Sequence, residues 1–94
     1  MPTVDFTHEG RAQFRTLPRA VKVELNEIFP WLEENPLHLP PWVDVKQIGE
    51  RRGKKVLRIR VRGYRAIFVF DGETVTLVRV GGRPDIKYGA LPKK

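Results

Sequence analysis

Three arginines stand at spacings that favour an anion-binding surface. Arg58 and Arg60 alternate with apolar residues in a run typical of a β-strand, and Arg65 lies in a second such run. If Arg62 and Gly63 form a two-residue turn, Arg60 lies directly opposite Arg65, on the face that also carries Arg58. We call this surface the arginine face. Opposed like charges destabilise a sheet, and a bound phosphate would relieve the repulsion, so anion binding is favoured over a merely solvated strand face.

The strand that follows Arg65 continues through a second turn. Asp71 and Gly72 lie between two β-rich runs, a pattern typical of a type I′ hairpin turn. A two-residue turn there predicts that Phe70 lies opposite Glu73. One face of the resulting meander is apolar and needs a cover; it carries Leu57, Ile59, Val61, Tyr64, Ala66, Phe68, Phe70, Val75 and Leu77. The arginine face carries, beside its arginines, Ile67, Val69, Thr76, Val78 and Val80.

Helical segments are predicted before the meander. Residues 3–7 alternate and predict a short strand, and Thr7 is expected to cap a helix over residues 8–17. A second helix is expected up to Asn35, with a kink or a fresh turn at Pro30 and with Trp31 in the core. Its apolar residues recur at helical spacing: Val21, Leu25, Ile28 and Leu32.

These elements predict an α+β domain that spans the whole chain, residues 1–94. It comprises an N-terminal strand, two helices and a three-stranded antiparallel meander, with the helices packed on one face of a four-stranded sheet. Residues 43–49 start the second strand or lead into it, and the charged residues 50–55 form a loop or a hairpin end. A chain of 94 residues is expected to hold one modest core.

The distribution of charge is uneven along the chain. Residues 46–65 contain nine of the 18 basic residues and one of the 11 acidic residues. This clustering on predicted strands indicates a nucleic-acid partner, or an acidic protein that competes for the same surface, rather than a membrane. The chain has no cysteine, no long apolar run and no opening signal segment, which fits a cytoplasmic protein. His8 and His38 lack metal-ligand spacing, so no metal or cofactor is implied.

Two motifs carry a resemblance to a known family. Residues 57–68 read LRIRVRGYRAIF and residues 78–88 read VRVGGRPDIKY. Together with the order of elements, they resemble the RelE/ParE superfamily of bacterial and archaeal toxins over nearly the whole chain. The resemblance implies a toxin of a type II toxin–antitoxin pair. It also implies a cognate antitoxin whose acidic or amphipathic segment covers the basic face, with operator DNA contacted only through the antitoxin.

The resemblance also assigns roles to individual residues. Arg65, Arg83 and Tyr88 match catalytic positions of the RelE type, with the two arginines stabilising charge on the phosphate. Tyr88 would stack on a base, serve in proton transfer, or only pin the tail to the sheet. Residues expected to bind RNA phosphates are Arg58, Arg60, Arg62, Lys54 and Lys55.

This chain departs from the RelE pattern at three positions. Gly82 stands where several relatives carry His or Lys before the last arginine. Arg58 and Arg60 stand where the best-known RelE-like pattern has lysines, and arginine is a poor general base because it stays protonated. Asp44 and Glu50 are the acids nearest before the arginines, but solvated charges are the simpler interpretation of both.

Three functions follow, in order of preference. The first is a ribosome-dependent mRNA endoribonuclease that cleaves mRNA in the ribosomal A site by metal-independent attack of a 2′-OH, and so inhibits translation. The second is a ParE-like toxin without nuclease activity that inhibits DNA gyrase, which the presence of Gly82 slightly favours. The third is a module that has lost toxicity and only binds its antitoxin and operator DNA.

Overall fold

The computed structural model describes residues 2–82, which form two helices and a five-stranded sheet. The strands are β1 (Thr3–Phe6), β2 (Asp44–Arg51), β3 (Lys54–Val61), β4 (Tyr64–Phe70) and β5 (Thr74–Gly82). Helices α1 (His8–Arg15) and α2 (Arg19–Glu34) lie between β1 and β2 in the chain. The sheet order is β1-β5-β4-β3-β2, with β1 parallel to β5 and the other pairs antiparallel. The predicted α+β class is confirmed.

The predicted four-stranded sheet is wrong by one strand, because β2 pairs along β3 at the sheet edge. The charged residues 50–55 form the end of this hairpin, one of their two predicted alternatives, and Arg52 and Gly53 make the turn. Both have left-handed backbone angles, with φ of 53° and 78°, as a type I′ turn requires. Charged side chains suit this position since an edge strand has one side open to water.

The hairpin that joins β3 to β4 confirms the predicted register. Arg62 and Gly63 form its turn with φ of 49° and 82°. Val61 consequently lies opposite Tyr64, and Arg60 lies opposite Arg65. The central like-charge pair of the arginine face therefore follows from the turn chemistry of two residues.

The connection between β4 and β5 is longer than predicted. Phe70 lies opposite Val75 rather than Glu73, and of the two predicted turn residues only Gly72 has a positive φ, of 100°. The Asp71 carboxylate instead accepts the backbone N–H groups of Thr74 at 2.8 Å and Glu73 at 2.9 Å. These bonds lower the pKa of the Asp71 carboxyl. Their contribution to stability is therefore present above the ordinary pKa of aspartate and is lost as pH falls through the lowered value.

A β-bulge in β5 changes which side chains reach each face. On β4, Phe68 lies opposite Leu77, and its neighbour Ile67 lies opposite Arg79. Val78, between Leu77 and Arg79 on β5, therefore has no partner on β4 and is the extra residue of the bulge. The prediction that Val80 lies on the arginine face is wrong, because the bulge turns it into the core, where it is 3% exposed. The bulge also turns Arg79 towards the arginine face, since a one-residue shift exchanges the faces of a strand.

The core lies between the two helices and the apolar face of the sheet, as predicted. Val21, Leu25, Ile28 and Leu32 of α2 are buried in it. Four phenylalanines join β1, both helices and β4 through ring contacts with centroids 5.6–6.3 Å apart: Phe6, Phe14, Phe29 and Phe68. Neither helix of the described chain is long and apolar enough to cross a membrane.

The structure decides two expectations for α2. The helix is continuous through Pro30 to Glu34, which leaves a kink, not a fresh turn, as the expected effect of the proline. Trp31 is 42% exposed and does not lie in the core. At 100° per residue, Trp31 stands about a quarter-turn away from Leu32, at the margin of the buried stripe.

Helix α1 is anchored directly on the bulged part of β5. Thr7 caps the helix, as predicted, by accepting the Gly10 N–H at 2.9 Å, and its own N–H donates to the Leu77 carbonyl at 3.0 Å. Gln13 accepts the backbone N–H of Val80 at 2.9 Å. A Cβ built on Gly10 would overlap the Leu77 carbonyl oxygen. Glycine at this position therefore permits α1 to approach the strand.

We expect Gly10→Ala to lower the free energy of unfolding by about 1–3 kcal/mol, because a Cβ would push α1 away from β5. Helix propensity alone predicts the opposite, a gain of about 1 kcal/mol. Urea denaturation measures the free energy of unfolding and so shows whether the substitution lowers or raises it. Gly49→Ala is the control, since its Cβ would meet nothing nearer than the Val56 side chain at 3.9 Å. A more stable Gly10→Ala protein would mean that α1 does not depend on this approach.

Candidate functional site

The arginine face is the side of the sheet opposite the helices. Its centre is a row of side chains that crosses three strands, with Asp44 on β2, Arg60 on β3 and Arg65 on β4 in register. Arg58 stands two residues before Arg60 on the same face. The structure thus brings together the three arginines from which the anion site was predicted, and β2 adds a carboxylate beside them.

Asp44 bridges the two arginines of β3. One of its carboxylate oxygens accepts a hydrogen bond from Arg58 Nη2 at 3.1 Å, and the other lies 3.7 Å from Arg60 Nε. The Arg58 side chain is only 10% exposed, whereas that of Arg60 is 43% exposed. Arg58 Nε is buried without a hydrogen-bond partner among the residues described. A buried guanidinium keeps its charge, so the contact with Asp44 compensates a cation that water barely reaches.

The two arginines of β3 therefore differ in how well a phosphate can reach their guanidinium groups. Arg60 presents an accessible guanidinium to a phosphate, while Arg58 adds positive potential from below the surface and holds Asp44 in place. Arg65 is half-buried directly opposite Arg60. A phosphate oxygen placed over this pair would meet two cations from neighbouring strands, about 5 Å apart along the hydrogen-bonding direction.

A second row of the arginine face runs beside the first. Lys46, Arg58, Ile67 and Arg79 lie in register across β2, β3, β4 and β5. Sequence reasoning placed neither Lys46 nor Arg79 on this face. The alternation of residues 43–46 is the signal that would have placed Lys46. No comparable signal exists for Arg79, because its orientation depends on the bulge at Val78.

Three further residues expected to bind phosphate lie apart from the arginines. Lys54 shares their face but starts β3, roughly 20 Å along the strand from Arg60. Lys55 pairs with Phe70 on the opposite, apolar face. Arg62 bonds through Nε to a Glu24 carboxylate oxygen of α2 at 3.0 Å. The structure thus directs Lys55 and Arg62 to the helix side of the sheet.

Two of the remaining candidates, Arg83 and Tyr88, lie outside the described residues. Glu50 pairs with Lys55 and so lies on the side opposite the arginines. Among residues 2–82, no group of three or more His, Cys, Asp or Glu side chains is placed to hold a metal ion. The chemistry around the arginines is therefore that of fixed positive charges beside one carboxylate, that of Asp44.

A protein-family model covers most of the sequence. The model of the ParE toxin of the parDE type II toxin–antitoxin system matches residues 4–86. The chain belongs to this family. The ParE toxins are part of the RelE/ParE superfamily, so the resemblance seen in the two sequence motifs is confirmed. No curated protein sequence matches this toxin.

Two solved structures share the fold of this ParE-family chain. A chain of the archaeal RelE–RelB complex from Pyrococcus horikoshii OT3 aligns with a TM-score of 0.72 and 19% identity, covering 90% of this chain and 98% of that chain. A chain of the RelB–RelE antitoxin–toxin complex from Methanococcus jannaschii aligns with a TM-score of 0.72 and 24% identity, covering 94% and 99%. At these identities the similarity shows the fold.

We expect the two partners of the Asp44–Arg58 pair to contribute unequally to the free energy of unfolding. Asp44→Ala leaves a buried cation unpaired and should lower the free energy of unfolding by about 1–3 kcal/mol. Arg58→Met should cost less, because an apolar chain of similar length fills the site and the half-exposed Asp44 turns to water. Urea denaturation of both variants and of the double variant measures the asymmetry. A larger loss for Arg58→Met would show that the guanidinium stabilises the fold by contacts other than Asp44.

Proposed function

We propose that this toxin is a ribosome-dependent mRNA endoribonuclease that cleaves mRNA in the A site and so stops translation. The observation that carries the proposal is the opposed pair of Arg60 and Arg65, with Arg58 held beside them by Asp44. Such a cluster of fixed cations suits a phosphodiester whose charge rises during reaction. Its place on a sheet shared with RelE chains supports the RelE type of activity.

The proposed reaction needs no metal. The ribose 2′-oxygen attacks the adjacent phosphorus and gives up its proton, while the bond from phosphorus to the 5′-oxygen breaks and that oxygen gains a proton. The products are a 2′,3′-cyclic phosphate and a 5′-OH end. Arg65 stabilises the added negative charge on the phosphate oxygens, and Arg60 orients the backbone. Arg83 supplies further charge and Tyr88 takes part in stacking or proton transfer, as the resemblance implies.

An antitoxin is the proposed protein partner. Both structural neighbours are chains of toxin–antitoxin complexes, and the arginine face of this chain would favour an acidic segment for the same reason that it favours phosphate. An antitoxin that covers Arg60 and Arg65 would neutralise the toxin by competition with RNA. Operator DNA would then be contacted through the antitoxin.

Primer extension on an mRNA translated in a reconstituted system tests the nuclease proposal. The wild-type protein should produce cuts at A-site spacing, and Arg65→Ala should lower the cleavage rate by roughly 10²–10³-fold, the loss typical of a charge-stabilising donor. Arg83→Ala should lower it as well. Arg19→Ala on α2 is the matched control, since it removes one exposed arginine from the helix side. Uninhibited translation with no cuts in the wild-type lane would overturn the proposal.

Inhibition of DNA gyrase is the second candidate, and the match to the ParE family model favours it. Under this alternative, wild-type protein added to purified gyrase and relaxed plasmid should suppress supercoiling, while translation in the reconstituted system continues. Under the nuclease proposal, supercoiling should proceed at an unchanged rate. The two assays with one protein preparation therefore assign the activity to one target or the other.

A further inference from the structure

The second row of the arginine face holds two cations that the proposed catalytic centre does not use. Lys46 is exposed at the outer end of the row on β2, and Arg79 is half-buried at the other end on β5. Between them lie the buried Arg58 and the fully buried Ile67. The row therefore presents positive charge at both ends, with an apolar residue and a recessed guanidinium in the middle.

The two rows together form a band of charge across the sheet, which we call the basic band: Lys46, Arg58, Arg60, Arg65 and Arg79. Asp44 is the one carboxylate in these two rows. Adjacent strands are about 4.8 Å apart, so the Cα atoms of Lys46 and Arg79 are separated by roughly 14 Å in the direction perpendicular to the strands. That length exceeds the reach of one phosphate group and suits several along one backbone.

We infer that Lys46 and Arg79 bind the phosphates that flank the scissile one, so that single-stranded RNA crosses the β-strands from β2 to β5. This inference rests on the proposed function, because it extends the same site to neighbouring nucleotides. Arg60 and Arg65 hold the central phosphate, while Lys46 and Arg79 hold the backbone on either side. Fixing the backbone on both sides orients the reacting phosphate between them.

The bulge at Val78 gives Arg79 this position. Without the extra residue, the register of β5 would place Val78 opposite Ile67 and turn Arg79 towards the core. The bulge is held by α1, through the Gln13 bond to the Val80 N–H and the Gly10 approach to Leu77. Bulges commonly re-aim a side chain beside a functional site. The fold thus includes a local irregularity that adds a cation to the band.

Salt-dependent RNA binding tests the inference through the number of phosphate contacts. Binding of a fluorescein-labelled single-stranded RNA is measured by anisotropy between about 50 and 200 mM KCl, a range in which counterion release dominates. Each phosphate contact contributes about 0.7 to the slope of log K against log salt for a single strand. Arg79→Gln and Lys46→Gln should each reduce that slope by about 0.7, and the double variant by about 1.4.

Matched variants separate charge from folding. Arg79→Lys and Lys46→Arg keep the cation and should keep the wild-type slope, whereas Arg19→Gln removes a cation from the helix side and should leave the slope unchanged. Urea denaturation of each variant identifies any that unfold. Single-stranded DNA of the same sequence should show the same loss of slope, since phosphate is the shared ligand.

The outcomes distinguish this inference from the nuclease proposal. Unchanged slopes in Arg79→Gln and Lys46→Gln, or no salt-dependent RNA binding by the wild-type protein, would overturn the inference. Reduced slopes in a protein that makes no cuts in translated mRNA would uphold the phosphate contacts and reject the nuclease activity. A-site cuts together with unchanged slopes would uphold the nuclease activity and reject the phosphate contacts of Lys46 and Arg79.

Discussion

The close approach of α1 to β5 is the constraint on which much of this structure depends. Gly10 lets the helix backbone reach the Leu77 carbonyl, and Thr7 and Gln13 satisfy strand groups that β1 no longer covers. β1 ends at Phe6 opposite Leu77, so the remainder of β5 would otherwise expose its edge. The same contacts accompany the bulge that directs Val80 into the core and Arg79 to the arginine face. One helix–strand contact thereby influences both packing and surface charge.

On the arginine face, repulsion between arginines is partly compensated by a carboxylate. Arg60 and Arg65 are opposed cations, an arrangement that reduces sheet stability unless an anion intervenes. Asp44 supplies part of that compensation from the neighbouring edge strand, and it does so for Arg58 and Arg60 together. The extra strand β2 therefore has a functional consequence beyond extending the sheet. It positions the one acid that holds the buried guanidinium and leaves the more exposed arginine facing solvent.

Family membership identifies the class of protein, whereas the residues of the arginine face bear on its activity. The ParE family match and the RelE-like fold place this chain among toxins of type II toxin–antitoxin systems, but one fold supports several activities because function depends on the residues at the site. Here the distinguishing features lie on the arginine face. Arg79 belongs to that face only because of the bulge, and Arg62 is withdrawn from it by its bond to Glu24 on α2.

Local sequence was enough to predict the hairpin between β3 and β4, the alternation of its faces and hence the opposed pair of Arg60 and Arg65. These features depend on neighbouring residues, above all the turn formed by Arg62 and Gly63, so local rules suffice. The apolar stripe of α2 and the apolar face of the sheet were predictable for the same reason. The α+β class followed from the order of these elements.

Other features follow only from the folded chain, because they depend on strand pairing and on contacts between segments far apart in the sequence. The charged residues 44–51 form a strand because β3 offers them a ladder of hydrogen bonds, and this pairing outweighs their local composition. The bulge in β5 is supported by α1, more than sixty residues earlier in the chain. Arg58 is buried, and Arg79 faces the arginines, because of contacts that no periodic pattern encodes. Side-chain periodicity therefore predicts faces until a bulge or an edge partner intervenes, and in this protein both intervene at the arginine face.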